Sequence, residues 1–224
     1  MLNSSIVLLI PAFLLAIWAQ INVKSTFEKY SRVRAYKGLT AAEVARMLLD
    51  RAGLTYVPIN RVSGHLTDNY DPIRKAINLS EPVYGSFSIA SLGVAAHECG
   101  HAIQHSLGYS PLMIRNTIFP VVSLSTNLAF PLFFVGMMLS YAGLMTLGII
   151  LFTGAIIFHL ITLPVEFNAS SRALTALGST GTLSPEELVG ARAVLRSASW
   201  TYIAATVMLA VQLLRMIMIK NQRR

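Results

Sequence analysis

Fifty consecutive residues, 116–165, contain no Asp, Glu, Lys or Arg. A helix rises 1.5 Å per residue and needs roughly 20 apolar residues to cross a bilayer core. The run is therefore long enough for two membrane spans, and Ser140-Tyr141-Ala142-Gly143 supplies a tight turn between them. Residues 1–23 and 197–214 are also uncharged, so the 18 Lys+Arg and 10 Asp+Glu lie on the remainder, at a density close to the roughly 25% of ordinary soluble chains. With 54% hydrophobic residues and one cysteine, the composition excludes a disordered chain, a disulfide-stapled module and a wholly soluble enzyme. A mainly helical membrane protein with one modest polar part remains.

Residues 1–23 are expected to form the first transmembrane helix, with Trp18 near an interface. A cleaved signal peptide would carry a positive start, and Met1-Leu2-Asn3 carries none. The positive charges follow instead, at Lys24, Lys29, Arg32, Arg34 and Lys37, which orients the N-terminus outward and residues 24–115 to the cytoplasm. The 116–165 hairpin returns the chain to that side, so 166–196 is expected to be a cytoplasmic helical segment. Two readings remain for 197–219, a fourth span or a helix lying in the interface; four spans is preferred, although the basic tail 220–224 then lies outside, against the positive-inside rule. The Lys24–Lys37 cluster suits anionic lipid headgroups. No aromatic-basic motif accompanies the basic excess, so a nucleic-acid partner is not expected. The lone Cys99 permits no internal disulfide and agrees with a reducing compartment. No oligomeric state follows from the sequence.

Within the polar part, Thr40-x-x-Glu43 is a capping box, and Val44, Met47 and Leu48 give the following helix, about 40–52, an apolar face ended by Gly53. Thr55-Tyr56-Val57 and Ala76-Ile77-Asn78-Leu79 are strand-like, and Ser63-Gly64, Asp68-Asn69 and Asp71-Pro72 are turn signals, which predicts two or three short strands. Residues 86–107 read as one helix, with Ser86 or Ser88 as its cap and Gly108 as its stop.

That helix carries His97-Glu98-Cys99-Gly100-His101, an H-E-x-x-H motif. Two histidines four apart project from one helix face and can share a zinc ion, with the intervening Glu98 as general base toward water. At this composition a chance match is expected roughly 0.003 times. A catalytic zinc takes three protein ligands and leaves a fourth position open. His105 lies about 12 Å along the axis from His97 and rotates off its face. Leu107 and Gln104 stand where the metzincin pattern needs His and Gly. Cys99 falls on the far side of the helix and reads as packing, and His159 reads as a hydrogen-bonded helix residue near an interface. Glu166 fits best, as the first charge after the hairpin that returns the chain to the motif's side; Pro164 is placed to bend the helix and aim it. One Zn²⁺ per chain on His97, His101 and Glu166 is the expected cofactor. Arg172, His65 and Tyr70 are candidate donors to an oxyanion.

Three motifs in order, Gly64-x-Leu66-Thr67-Asp68-x-Tyr70-Asp71-Pro72, Leu92-Gly93-Val94-Ala95-Ala96-His97-Glu98-x-Gly100-His101-Ala102-x-Gln104 and Pro164-Val165-Glu166-Phe167-x-Ala169-Ser170-x-Arg172-Ala173, resemble the YugP-type family of neutral zinc metallopeptidases of bacterial membranes, over nearly the whole chain. Glu166-x-x-Ala169 is also similar, more distantly, to the E-x-x-A-D motif of HtpX and the CAAX prenyl proteases, in which the motif Glu is the third zinc ligand. The resemblance implies a gluzincin-like site in a cytoplasmic zincin-like α+β domain, residues 24–115, beside about four transmembrane helices in a bacterial inner membrane. Asn69 and Asn168 stand where relatives often have His and Asp, and Ser170 stands where the HtpX-type motif has the Asp that orients a ligand histidine. Asn168 or Ser170 is then left to orient that histidine more weakly.

The expected activity is zinc-dependent hydrolysis of a polypeptide at the cytoplasmic membrane boundary. Ile73, Ala76, Ile77, Asn78 and Leu79, in the strand segment 73–79, are candidates for an edge that takes an extended peptide. Three rivals are a non-catalytic zinc scaffold, a site-2-type intramembrane protease and a transporter. A structural site has no use for Glu98, the polar flanks argue against burying the motif in a span, and a lone His159 does not make an ion path.

Overall fold

The structure is a computed structural model that describes residues 7–222. Residues 1–6, where the first span was expected to begin, and the last two of the basic tail lie outside them. The protein is mainly α-helical with a three-stranded sheet. Helix α1 covers Leu9–Ser31 and α2 covers Ala41–Arg51; strands β1 (Ile59–Val62), β2 (Asn69–Asp71) and β3 (Ala76–Ser80) follow. Then come α3 (Glu81–Tyr84), α4 (Ile89–Ser106), α5 (Ser110–Met138), α6 (Ala142–Ser179) and α7 (Pro185–Asn221). Among the described residues, α1, α5, α6 and α7 are long and apolar enough to cross a membrane, and α4, which holds the H-E-x-x-H motif, is not one of them.

The chain divides into two compact units. The apolar unit comprises the described residues up to Gln20, Met113–Pro164 and those from Trp200 on. In it α5 and α6 form the expected hairpin, turning at Ser140, which takes a positive φ of 52°. The two helices approach at glycine: a Cβ at Gly148 would lie 2.7 Å from the carbonyl oxygen of Ala129. Close backbone contact through small residues is the usual way apolar helices pack in lipid. Trp18 and Trp200 meet edge to face, with ring centroids 5.4 Å apart. Thr126, Thr153 and Thr162 each donate to the carbonyl four residues earlier, which satisfies their hydroxyls inside the helix. His159 corrects an expectation: its buried Nδ1 has no hydrogen-bond partner among the described residues.

The polar unit comprises Ile21–Leu112 and Val165–Ser199. Its core joins Val44, Leu48 and Leu49 of α2, Ile77 and Leu79 of β3, Leu92, Ala95 and Cys99 of α4, and Leu177 and Leu195 of α6 and α7. The capping box forms as the sequence predicts, with Thr40 accepting from the Glu43 N–H and Glu43 accepting from the Thr40 N–H at 2.7 Å. Thr55–Val57 is not a strand. The Arg46 guanidinium donates to the carbonyls of Leu54 and Val57 and holds that stretch in a turn, so β1 starts only after Pro58.

The sheet order is β1-β3-β2, with β3 parallel to β1 and antiparallel to β2. This overturns the edge assigned to 73–79. Ala76, Ile77, Asn78 and Leu79 lie on the central strand, whose backbone groups pair with neighbours on both sides, and Ile73 is exposed in the turn before it. The apolar character that makes the segment strand-like reflects burial; a strand buried on both faces belongs in the middle of a sheet. A ladder of amides crosses the sheet, Asn60 donating to Asn78 and Asn78 to Asn69.

Candidate metal centre

Ser88 caps α4 by accepting from the Ser91 N–H. The helix ends at Gly108, φ 61°, where the Tyr109 N–H reaches the Gln104 carbonyl and the Gly108 N–H reaches that of His105. Between cap and stop the 3.6-residue period places His97, His101 and Gln104 along one face. That face looks at α6. Helix α6 runs on through Pro164 to Ser179, and Glu166 on it faces the two histidines of α4.

The two helices touch at Gly100. A Cβ there would stand 2.6 Å from the Ala169 carbonyl oxygen, closer than real Cβ atoms come, and a tight 3.1 Å from its Cα. The glycine inside H-E-C-G-H and the alanine inside E-x-x-A are thus opposite halves of one contact, and that contact sets the ligand separation. His97 Nε2 lies 3.3 Å from Glu166 Oε2, and His101 Nε2 lies 3.6 Å from the same oxygen. One ligand atom from each of the three residues falls within 4.8 Å of the others. Donors held about 2.0–2.1 Å from a tetrahedral zinc stand about 3.3 Å apart, so the set fits that ion.

The surrounding bonds support the same conclusion. Gln104 is wholly buried. Its Nε2 donates to the Val165 carbonyl at 2.8 Å and to Asn168 Oδ1 at 3.0 Å, which fixes the amide and leaves Oε1 facing His101 Nδ1 at 3.0 Å. An oxygen there can only accept, so His101 carries a proton on Nδ1 and turns Nε2 toward a carboxylate. Nε2 is the imidazole nitrogen that faces Glu166 Oε2, at 3.6 Å. Burial disfavours charge on His101, yet the Glu166 carboxylate outweighs it and the His101 pKa is raised. Glu166 is 3% exposed. Glu98, between the two histidines in sequence, is 8% exposed, and burial raises its pKa against the lowering influence of His97 and His101.

A model of the family described as "putative neutral zinc metallopeptidase" matches residues 5–221. The chain belongs to that family. It is also 51% identical over 214 residues to "Putative membrane protease YugP" of Bacillus subtilis (strain 168), an alignment covering 96% of this chain and 95% of that relative. No solved structure matches it.

Other candidates from the sequence divide sharply. Ser170 reaches His97 Nδ1 at 3.1 Å, and Asn168 accepts from both Gln104 and Arg172 Nε, the latter at 2.7 Å. Arg172 is therefore tied into the support of His101, with its Nε committed away from an oxyanion. The Tyr70 hydroxyl and His105 Nδ1 share a hydrogen bond at 2.9 Å and burial pushes the Tyr70 pKa up to about 12, so both residues are occupied with one another. His65 is exposed between β1 and β2 and makes no hydrogen bond among the described residues. Cys99 packs, as expected, with its thiol against the Ala45 carbonyl. Gln104 was passed over as a functional residue in the sequence, although its position three after His101 and seven after His97 marks it for the same face.

Proposed function

We propose that this chain is a zinc metalloendopeptidase of the bacterial plasma membrane, with one zinc ion per chain, cleaving membrane-associated or cytoplasmic polypeptides at the cytoplasmic boundary of the bilayer. The observation that carries the reading is the approach of two helix-borne imidazoles and a carboxylate from a second helix to tetrahedral donor spacing, with a buried glutamate beside them. A zinc ion held by His97, His101 and Glu166 would supply Lewis acidity to water and to a peptide carbonyl. Glu98 takes a proton from the attacking water and returns it to the leaving amine. Its burial raises its pKa above the ordinary carboxylate value. Gln104 and Ser170 hold the two imidazoles in position.

The orientation rests on the positive-inside rule applied to Lys24, Lys29, Arg32, Arg34 and Lys37, the same cluster that would face anionic lipid headgroups. Placement of the motif beside the bilayer, outside a span, is supported by the polar composition around α4. Replacing Glu98 by Gln in the purified, reconstituted protein is expected to leave zinc content unchanged and lower peptide hydrolysis by about 10²–10⁴-fold. Undiminished cleavage by a zinc-loaded Glu98→Gln protein would sink the assignment.

A further inference from the structure

Beside the metal centre, within the polar unit, a groove of about 490 Å³ lies between α6 and α7. Its α6 side includes Phe167, Ser170 and Leu174, and its α7 side Leu188, Arg192 and Arg196. The volume falls in the range of sites that take small ligands or a short peptide segment. Ser170 belongs both to this wall and to the centre, since its hydroxyl bonds His97. Phe167 follows Glu166 directly.

The groove is positive and has no acid of its own. Arg192 and Arg196 are four residues apart on α7, a spacing at which like charges repel and weaken a helix. The helical neighbours three and four residues away from each offer no carboxylate: Leu188, Val189, Ala193, Leu195, Ser199 and Trp200 occupy those places. The nearby acids are already bound. Glu187 accepts from the N–H groups of Tyr36 and Ser184, Glu186 accepts from the Ser184 hydroxyl, and Glu166 faces the histidines. Neither arginine forms an ion pair among the described residues.

We propose that this groove is a substrate subsite that selects an acidic side chain, the Asp or Glu carboxylate meeting Arg192 and Arg196 while its stem lies on Leu174 and Leu188. The inference rests on the peptidase reading and names the substrate chemistry for it. The α6 wall runs from Phe167 to Thr175, about 12 Å of helix, which an extended peptide covers in three to four residues. The preferred acid therefore falls within about four residues of the scissile bond.

The test uses the full-length, zinc-loaded protein in nanodiscs, once in zwitterionic and once in anionic lipid. Each is given a peptide library with Asp, Ala or Lys at every position flanking the cleaved bond, and products are identified by mass spectrometry. Wild type is expected to favour Asp over Ala at one position by roughly tenfold in kcat/KM, mostly through KM, with the preference screened by salt. The double variant Arg192→Gln/Arg196→Gln should lose that preference, and Arg192→Glu/Arg196→Glu should move it to Lys, both with zinc retained. Cleavage with no acidic preference, or with a preference that survives in the double variant, overturns the subsite and leaves the peptidase reading intact. Activity that follows anionic lipid instead of peptide charge, and loses that dependence in the double variant, makes the groove a lipid site and also overturns it. Absence of any cleavage by zinc-loaded wild type removes the peptidase reading and the subsite with it.

Discussion

His97 and His101 leave the same helix one turn apart, yet the groups behind them differ in kind. Behind His101 stands the wholly buried Gln104, whose amide cannot turn because its nitrogen is held by a backbone carbonyl and by Asn168. Behind His97 stands the half-buried hydroxyl of Ser170, which can donate or accept and lines an open groove. The amide dictates one tautomer for His101. The hydroxyl accommodates either tautomer of His97 and can be replaced by water. One imidazole is thus built into the junction of α4 and α6, and the other stays adjustable on the side of the groove.

The most severe way to break this comparison is to remove the junction that both ligands share. Gly100→Ala puts a Cβ 2.6 Å from the Ala169 carbonyl oxygen, and backbone cannot step aside as a side chain can. The helices must part, and zinc affinity is expected to fall by more than about 100-fold, beyond the usual effect of losing one supporting bond. Gly93→Ala, two turns earlier on α4, is the control. Its Cβ would meet Ala191 Cβ at an ordinary 3.7 Å, so zinc binding should survive and the helix should gain up to about 1 kcal/mol in propensity. Competition with a chelator measures both variants.

Smaller substitutions separate the two histidines. Gln104→Leu keeps the volume but strips the Nδ1 partner from His101 and the donors from Val165 and Asn168; about 10–100-fold weaker zinc binding is expected. Ser170→Ala should cost about tenfold or less, because water in the groove can take over the bond to His97. An equal or larger loss for Ser170→Ala, measured by the same competition, would show that the two supports are equivalent and end the distinction drawn here.

Much of this site can be read from the chain before any coordinates. Spacing alone aligns His97 with His101, and the return of the hairpin brings back Glu166. Periodicity also points at Gln104, but a glutamine on the histidines' face carries no mark of what it will bond until the opposite helix is in place. The depth of the Gly100–Ala169 contact is invisible for the same reason: it depends on two backbones some 70 residues apart. Where one helix passes into the next segment is less legible, because charge marks a change of surroundings and not a helix end. Helix α6 passes its first charge, Glu166, and stops only near Gly181, φ 60°, because hydrogen bonding ends a helix and polarity does not. The 73–79 strand was placed at an edge because a single strand's pattern reveals its burial and says nothing of its neighbours. Thr55–Val57 is no strand because the Arg46 guanidinium, on the preceding helix, holds the carbonyls of Leu54 and Val57.

The smallest expected effect concerns α2, the helix that packs behind both histidines through the core contact of Cys99 with Ala45. Glu43 closes its capping box, and bonds from the Thr40 backbone and hydroxyl lower the Glu43 pKa. A lowered folded-state pKa means stabilisation that is complete above the unfolded value of about 4.3 and is lost as pH falls through the folded value. Glu43→Ala should therefore reduce amide protection in the first turn of α2 at pH 7. The gap from wild type should close as pH falls below the unfolded value and through the lower folded one, where wild type loses the carboxylate charge as well. Hydrogen exchange, corrected for intrinsic rates, follows both. Zinc affinity at pH 7 should not change, since the cap lies at the end of α2 and touches neither Gln104 nor Ser170. If the variant instead weakens zinc, the rigidity of both ligand positions depends on the helix behind them, and the contrast between a fixed and an adjustable histidine would have to be sought in α2 as well as in their direct partners.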